Sequence, residues 1–233
     1  MLDRAIHEIL LKNILRDTYQ HAQLSAQLAF KGGTCLYLFH GLPRFSTDLD
    51  FTLLRDDEDN RFDPQAMRTI LAEYITLVED RQKRFTWFWL GSYAKGFQTI
   101  KVEISKRQYA DHFSTAEFLG VTVRTLDLET MFAHKLCAIT DRRELVNRDL
   151  FDTWWLLKKM APIRSEIIRE RTGKSVPEYL RELLTFIPQR VNRRHIVNGL
   201  GELLSRVQRD WAINHLLDEL IAQLQIRLEA EES

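Results

Sequence analysis

Cysteine is scarce, two residues in 233, and both Cys35 and Cys137 fall in apolar stretches of helical spacing, where a free thiol behaves as a small hydrophobe. That usage gives neither a disulfide scaffold nor a thiolate metal site. No uninterrupted apolar run approaches the roughly 20 residues that a bilayer-spanning helix needs. No charged-then-apolar leader opens the chain, so a cytoplasmic protein without membrane contact is expected. An excess of either charge is also missing. Lys plus Arg and Asp plus Glu both number 33, so no global basic field points to nucleic acid, and any polyanionic partner must find a local patch. Histidines such as His7, His21, His40 and His112 keep no metal-ligand spacing, so zinc is not expected. The chain is long enough for one large domain or two small ones with a substantial core.

Against that background one stretch stands out. Lys31, Gly32, Gly33 and Thr34 are followed by Arg44, Ser46, Asp48, Leu49, Asp50 and Phe51. Successive side chains of a strand alternate, so Asp48 and Asp50 share one face while Leu49 and Phe51 enter the core. Two carboxylates so placed can share magnesium. A glycine pair lets the backbone approach a polyphosphate, and the Thr34 hydroxyl with the free amides of a following helix can hold its oxygens. Together the two halves suit metal-dependent nucleotidyl transfer; either alone is as readily a plain turn or a solvated loop. Ser46 alternates with both acids, so a phosphate on its hydroxyl is expected to repel a triphosphate and compete for metal. Backbone bonding is the competing role for that hydroxyl.

Leu2, Ile6, Ile9, Leu10, Ile14 and Leu15 predict a helix, and Leu24, Leu28 and Ala29 carry helical spacing up to the glycine turn. A helix over 34–39 and a break at Gly41 and Pro43 precede the acid strand. Residues 55–60 read as a loop and 63–80 as a helix begun by Asp63 and Pro64. Residues 85–93 and 97–104 read as a hairpin turning near Gly96, and 121–123 as a short strand. From Asp127 onward helical spacing persists. The architecture is therefore α+β first and helical second. On 99–105, Ile100, Val102 and Ile104 take one face and Lys101, Glu103 and Ser105 the other. Glu103 is thus a candidate third carboxylate, as metal ligand or as acceptor of the attacking hydroxyl's proton. A solvated charge on an amphipathic strand is the alternative.

Lys31, Gly32, Gly33, Thr34, Cys35 and Leu36, then Gly41, Arg44, Ser46, Asp48, Leu49 and Asp50, resemble the first motif of the AbiEii-type nucleotidyltransferase toxin family. That family is part of the superfamily similar to DNA polymerase beta in its catalytic core. A second block, Glu129, Ala133, Lys135 and Ala138, then Arg142 or Arg143, then Arg148, Asp149 and Asp152, resembles the family's E-x-x-x-A-x-K-x-x-A and R-D-x-x-D signatures. The resemblance implies a bacterial enzyme with a nucleotidyltransferase core, a mixed sheet flanked by helices, over 1–125. A helical domain over 126–233 would complete the active site. It implies magnesium or manganese as cofactor, a nucleoside triphosphate (NTP) as substrate, a tRNA 3′ end as acceptor and a separate antitoxin as partner. Lys31, Gly32, Gly33, Thr34, Arg44, Ser46 and Arg148 would bind the NTP, and Asp48, Asp50 and Glu103 would hold metal. Lys135, Asp149 and Asp152 would join those acids in catalysis. The rivals are a small-molecule nucleotidyltransferase, a kinase-like toxin that moves the γ-phosphoryl group, and a non-catalytic nucleotide-binding module.

Lys135 falls among Leu128, Met131, Phe132, Leu136 and Ile139, near an apolar face where an ammonium needs an anionic partner or a path to water. Asp149 and Asp152 share a helix face, although acids near a helix start are also favoured by its dipole. Trp154 and Trp155 read as core packing. Lys158, Lys159, Arg164, Arg169, Arg171 and Lys174, with Arg190, Arg193, Arg194 and His195 later, offer a candidate phosphate-tracking surface. The alternative is a set of solvated helix faces.

Overall fold

The computed structural model describes residues 3–54, 61–94, 98–142 and 144–232. The expected loop at 55–60, the turn near Gly96, and Leu2, Phe97 and Arg143 lie outside the described residues. The chain divides into two compact units. One comprises residues 1–41, 45–108 and 112–126; the other comprises 42–44, 109–111 and 127–233.

In the first unit, α1 (Arg4–Gln20) starts where the Asp3 carboxylate accepts hydrogen bonds from the amides of Ala5 and Ile6, satisfying donors that a helix start leaves free. It buries Leu11, Ile14 and Leu15. After α2 (Ala22–Gln27) the helical spacing expected through Leu28 and Ala29 gives way to a strand, β1 (Leu28–Lys31). This corrects the sequence reading, and the reason is burial. β1 lies between β2 (Asp48–Leu53), antiparallel, and β7 (Val121–Leu126), parallel, and Leu28, Ala29 and Phe30 are all buried. A strand covered on both faces reads as one apolar run, which periodicity does not separate from a buried helix. α3 (Gly32–His40) follows, closed by Gly41 at φ +76, a left-handed position that glycine takes without a Cβ penalty.

The helix expected over 63–80 stops early. α4 (Pro64–Ala72) begins with Asp63 accepting from the Gln65 amide, and β3 (Thr76–Lys83) takes over. Ile75, Thr76 and Val78 are β-branched and favour extended backbone, and Val78 is 63% exposed, so the helical spacing through it marks no buried stripe. β4 (Thr86–Ala94) pairs antiparallel with β3 and with β5 (Gln98–Ser105), the expected hairpin. β6 (Phe113–Phe118) is an edge strand with an exposed start, Phe113, Ser114 and Thr115, so no alternating pattern announces it. It joins β7 through Leu119 and Gly120, both at positive φ, the backbone of a two-residue hairpin turn. Among the described residues the sheet has seven strands in the order β3-β4-β5-β2-β1-β7-β6, with β2 and β5 parallel. The acid-bearing strands are therefore central neighbours, anchored by buried Leu49, Phe51, Ile100, Val102 and Ile104.

The second unit is helical, as the spacing from Asp127 predicts: α5 (Leu128–Asp141), α6 (Asn147–Lys158), α7 (Ser165–Thr172), α8 (Val176–Arg190) and α9 (Arg206–Glu232). At the start of α8 Ser175 and Glu178 each accept from the other's amide, a capping box. Trp154 and Trp155 are core residues; the Trp154 ring lies 4.3 Å from that of Trp211, and its indole donates to Glu219. Both cysteines are free and buried, and burial pushes the Cys137 thiol up to about 12, so neither supplies a thiolate. No helix among the described residues is long and apolar enough to cross a membrane.

A Cβ added at Gly91 of β4 would meet Ile75 Cδ1 at 2.6 Å and its Cβ at 3.0 Å, and Ile75 is itself packed into the core. Gly91→Ala is therefore expected to cost about 1–3 kcal/mol of stability, read as a lower urea midpoint at unchanged slope. An unchanged midpoint would mean that Ile75 moves aside freely.

Candidate active site

In the β2–β5 ladder Asp48 stands opposite Lys101 and Asp50 opposite Glu103. Residues opposed in a ladder place their side chains on one face, so these four form a single patch. The three carboxylates converge on one cation. Lys101 Nζ lies 2.7 Å from Glu103 Oε2, 3.3 Å from Asp48 Oδ2 and 3.9 Å from Asp50 Oδ1. Burial disfavours the ammonium, but Asp50, Asp48 and Glu103 outweigh it and hold the Lys101 pKa above its ordinary value. Burial raises Asp50 in spite of Lys101, and repulsion from Asp48 and Glu103 adds to the rise. All four side chains remain 21–30% exposed, so solvent and small ligands reach the patch.

Carboxylate oxygens are the hard donors that magnesium and manganese take, and an ammonium held among three of them marks where positive charge is stabilised. Asp48, Asp50 and Glu103 fit a divalent cation on these grounds. Among the described residues no group of three acids already stands in metal-binding geometry; the acids here are gathered around Lys101.

Several residues fix this patch from behind. Gly32 sits at φ +82, and a Cβ there would come 2.5 Å from Asp50 Oδ2, so only glycine fits beside the second acid. α3 consequently begins against Asp50, with no side chain capping its first amides, and Lys31 stands opposite Asp50 across β1 and β2. Gly33 is a buried residue of the helix. Thr34 is buried too. Its hydroxyl donates to the Asp48 carbonyl and lies 2.8 Å from Ser46 Oγ, so it pins α3 to the acid strand. Ser46 is only 5% exposed. Its hydroxyl accepts from Thr34, which makes it a tie between α3 and the segment leading into the acid strand. His7, which carries no sequence signal, is buried below Thr47. Its Nε2 donates to the Thr47 carbonyl at 3.0 Å, which leaves Nδ1 to accept from the Tyr93 hydroxyl at 2.7 Å. Burial lowers the His7 pKa against the Thr47 bond and Asp48, so a neutral imidazole holds the segment leading into Asp48. Lys101 had a legible signal, its place two residues before Glu103 on the same strand face.

The remaining predicted residues gather in the second unit. Arg44 Nε and Nη2 donate to the two oxygens of Asp152 at 2.6 and 2.7 Å, with both side chains buried. Lys135 Nζ lies 2.7 Å from Asp152 and 3.0 Å from Asp149. Burial would raise Asp152, but Arg44 and Lys135 overcome it and pull the carboxyl to about 2. Burial likewise opposes the Lys135 ammonium, and Asp152 and Asp149 raise its pKa nonetheless. The anionic partner that Lys135 needs is thus present. Arg44, expected at the triphosphate, is engaged on Asp152. Both Asp152 oxygens are satisfied, whereas Asp149 Oδ2 has Arg142 at 3.3 Å without a hydrogen bond. Arg148 is half-buried. Part of the predicted basic surface is neutralised where it stands: Arg164 pairs with Asp127 and Glu129, Arg171 with Asp141, Lys174 with Glu182 and Arg193 with Asp218.

The family model described as nucleotidyl transferase AbiEii toxin, type IV toxin–antitoxin system, matches residues 13–219. The fold is similar to that of a candidate nucleotidyltransferase from H. pylori, at TM-score 0.62 and 23% identity over 100% of both chains. It is also similar to JHP933 from Helicobacter pylori, at TM-score 0.51 and 20% identity over 100% of this chain and 97% of that one. An antigenic nucleotidyltransferase-like protein from Paracoccidioides brasiliensis gives TM-score 0.52 and 14% identity over 90% and 98%. No curated protein matches.

Lys101→Met removes the ammonium that competes for the three carboxylates, and Mn2+ binding to the substrate-free protein, followed by its electron paramagnetic resonance, is expected to tighten about tenfold, or ~1.4 kcal/mol. Unchanged or weaker binding would show that Lys101 does not stand where the cation goes. Arg44→Ala removes the two-pronged partner of a buried carboxylate, leaving Lys135 on one oxygen, and is expected to cost about 3–5 kcal/mol at neutral pH. Asp152 is held at about 2, below the ordinary 3.8, so its stabilisation is complete above that ordinary value and lost as pH falls toward the folded one. The stability gap between parent and variant should therefore close over that acid interval; a gap constant with pH would refute the assignment.

Proposed function

The chain belongs to the AbiEii family of nucleotidyl transferase toxins of type IV toxin–antitoxin systems, and we propose that it moves a nucleoside monophosphate from an NTP to the terminal hydroxyl of RNA, a tRNA 3′ end, in the bacterial cytoplasm. Family membership makes it a nucleotidyltransferase and implies a cognate antitoxin as partner; the divalent metal and the tRNA acceptor are our reading. What supports it is the set of three carboxylates on one face of β2 and β5, with α3 beginning against Asp50.

Asp48 and Asp50 would hold magnesium or manganese, whose chemistry is charge neutralisation and Lewis-acid polarisation at phosphoryl oxygens. Lys31 and the first amides of α3 offer donors to the terminal phosphates, as an uncapped helix start does for anions. Glu103 takes the proton of the acceptor hydroxyl as that oxygen bonds to the α-phosphorus. The bond from α-phosphorus to the bridging oxygen breaks, and pyrophosphate leaves. Lys101, released from the carboxylates, remains on the same face as a counter-charge to the phosphates. Thr34, Ser46 and His7 act as positioning residues for the acid strand. In the second unit Asp152 serves as a buried brace with Arg44, and Asp149 is the acid with an oxygen left to engage. We retain for Asp149, Lys135 and Arg148 the role their motif implies.

Protein incubated with magnesium, total tRNA and each α-labelled NTP in turn is expected to label RNA, and Asp48→Asn or Asp50→Asn to lower that label by at least about 100-fold. Label arriving only from the γ-position would make it a kinase. Label in a small-molecule fraction would replace the acceptor, and no transfer by the folded protein to any acceptor would overturn the reading.

A further inference from the structure

The carboxylate face continues outward. Phe88 of β4 stands opposite Glu103 on one side and opposite Arg81 of β3 on the other, so it extends that face by one strand. Lys83 Nζ lies 4.1 Å from the Phe88 ring centre. At the tip joining β3 and β4, Phe85 is 41% exposed and carries the guanidinium groups of Arg84 and Arg107 at 4.8 and 5.1 Å. Lys106 covers Trp87 at 4.7 Å on the opposite face of the sheet, where Trp87 stands opposite Ile104. Among the described residues none of Lys83, Arg84, Lys106 and Arg107 has a carboxylate partner. The acids nearest in sequence are already paired, Glu79 with Arg81 and Asp80 with Arg68. In the helical unit Arg164, Arg171, Lys174 and Arg193 are ion-paired, and the rings under Lys158 and Lys159, Trp154 and Trp155, are buried.

Cations without a carboxylate partner resting on an exposed ring, Phe85, and a half-buried one, Phe88, are the parts of a single-stranded nucleic-acid platform: rings stack bases, and the cations meet phosphates. We propose that the β3–β4 tip and the end of β5 bind the acceptor strand, with bases on Phe85 and Phe88 and phosphates on Lys83, Arg84 and Arg107. This rests on reading the adjoining acids as a nucleotidyl-transfer site for RNA. A duplex offers no free base faces to these rings. A flat anionic membrane would press against the carboxylates one strand away, whereas a single strand runs past the cations and leaves only its end at the acids.

The experiment measures anisotropy of a fluorescein-labelled single-stranded oligoribonucleotide with the full chain, in chelator so that no transfer occurs, across a salt series. The variants are the triple Lys83→Gln, Arg84→Gln, Arg107→Gln and the single Phe85→Ala, with melting curves as a folding control. The triple variant is expected to bind at least about tenfold more weakly, and its slope of log affinity against log salt to fall by about 2, near 0.7 for each lost phosphate contact. Phe85→Ala should weaken binding with the slope retained. RNA affinity equal in parent and variants, while α-label still enters RNA, would overturn the surface and leave the transfer reading intact. RNA bound by the parent and lost in the variants, with no α-label transferred from any NTP, would support the surface and overturn the transfer reading. A parent that fails to bind the oligoribonucleotide, or binds phosphatidylserine vesicles through these residues instead, overturns the proposal.

Discussion

Three carboxylates on one sheet face repel one another, and the Lys101 ammonium at 2.7–3.9 Å from all three is what lets them stand together. At an effective dielectric near 20 a unit charge pair about 4 Å apart is worth about 4 kcal/mol before desolvation is subtracted, so four partly exposed charges this close are strongly coupled. Much of the first unit serves to hold them. Parallel pairing of β2 with β5 sets Asp50 beside Glu103, Gly32 lets α3 start against Asp50, and Thr34 and His7 tie down the backbone on either side of the acids. The result is a cation-seeking face open to solvent beside a helix start whose amides are free of side-chain caps.

The second unit treats charge in the opposite way. Arg44, Lys135 and Asp152 are withdrawn from water and satisfy one another, an arrangement that contributes little net stability as a set but is costly to break. Arg44 comes from the short segment before the acid strand, and residues 42–44 belong to the helical unit, as does its partner Asp152. Arg44, read from the sequence as a phosphate ligand, is engaged on Asp152 in this structure. Overall neutrality, 33 charges of each sign, conceals local differences: Arg164, Arg171, Lys174 and Arg193 are ion-paired in the helical unit, and Lys83, Arg84 and Arg107 lie on the rings of Phe88 and Phe85 at the β3–β4 tip.

The legible parts of the fold were those with a single buried face. Asp48 and Asp50 alternating with Leu49 and Phe51, Glu103 alternating with Val102 and Ile104, and the helical spacing beyond Asp127 all appear as read. The illegible parts follow from the same physics. β1 is buried on both faces and carries no alternation, β6 begins exposed and carries none either, and 73–80 repeats apolar residues at helical intervals although Val78 faces water. In the site, Lys101 lay on the right face in the sequence, but its partners are not neighbours in the chain, and His7 acts through a backbone carbonyl forty residues away.

By itself the sequence determined the chemistry on offer: two acids at strand spacing, a third on another amphipathic strand, a glycine turn before a helix, and a helical second half, because these depend on local periodicity and residue type. Only the tertiary structure decided which groups meet. Strand order put Glu103 beside Asp50, the left-handed turn at Gly32 made glycine obligatory there, and burial brought Thr34 to Ser46 and the Asp48 carbonyl and Arg44 to Asp152. A hydroxyl or a charge removed from water must be satisfied by whatever lies nearest, and the identity of that neighbour is set by packing between segments far apart in the chain.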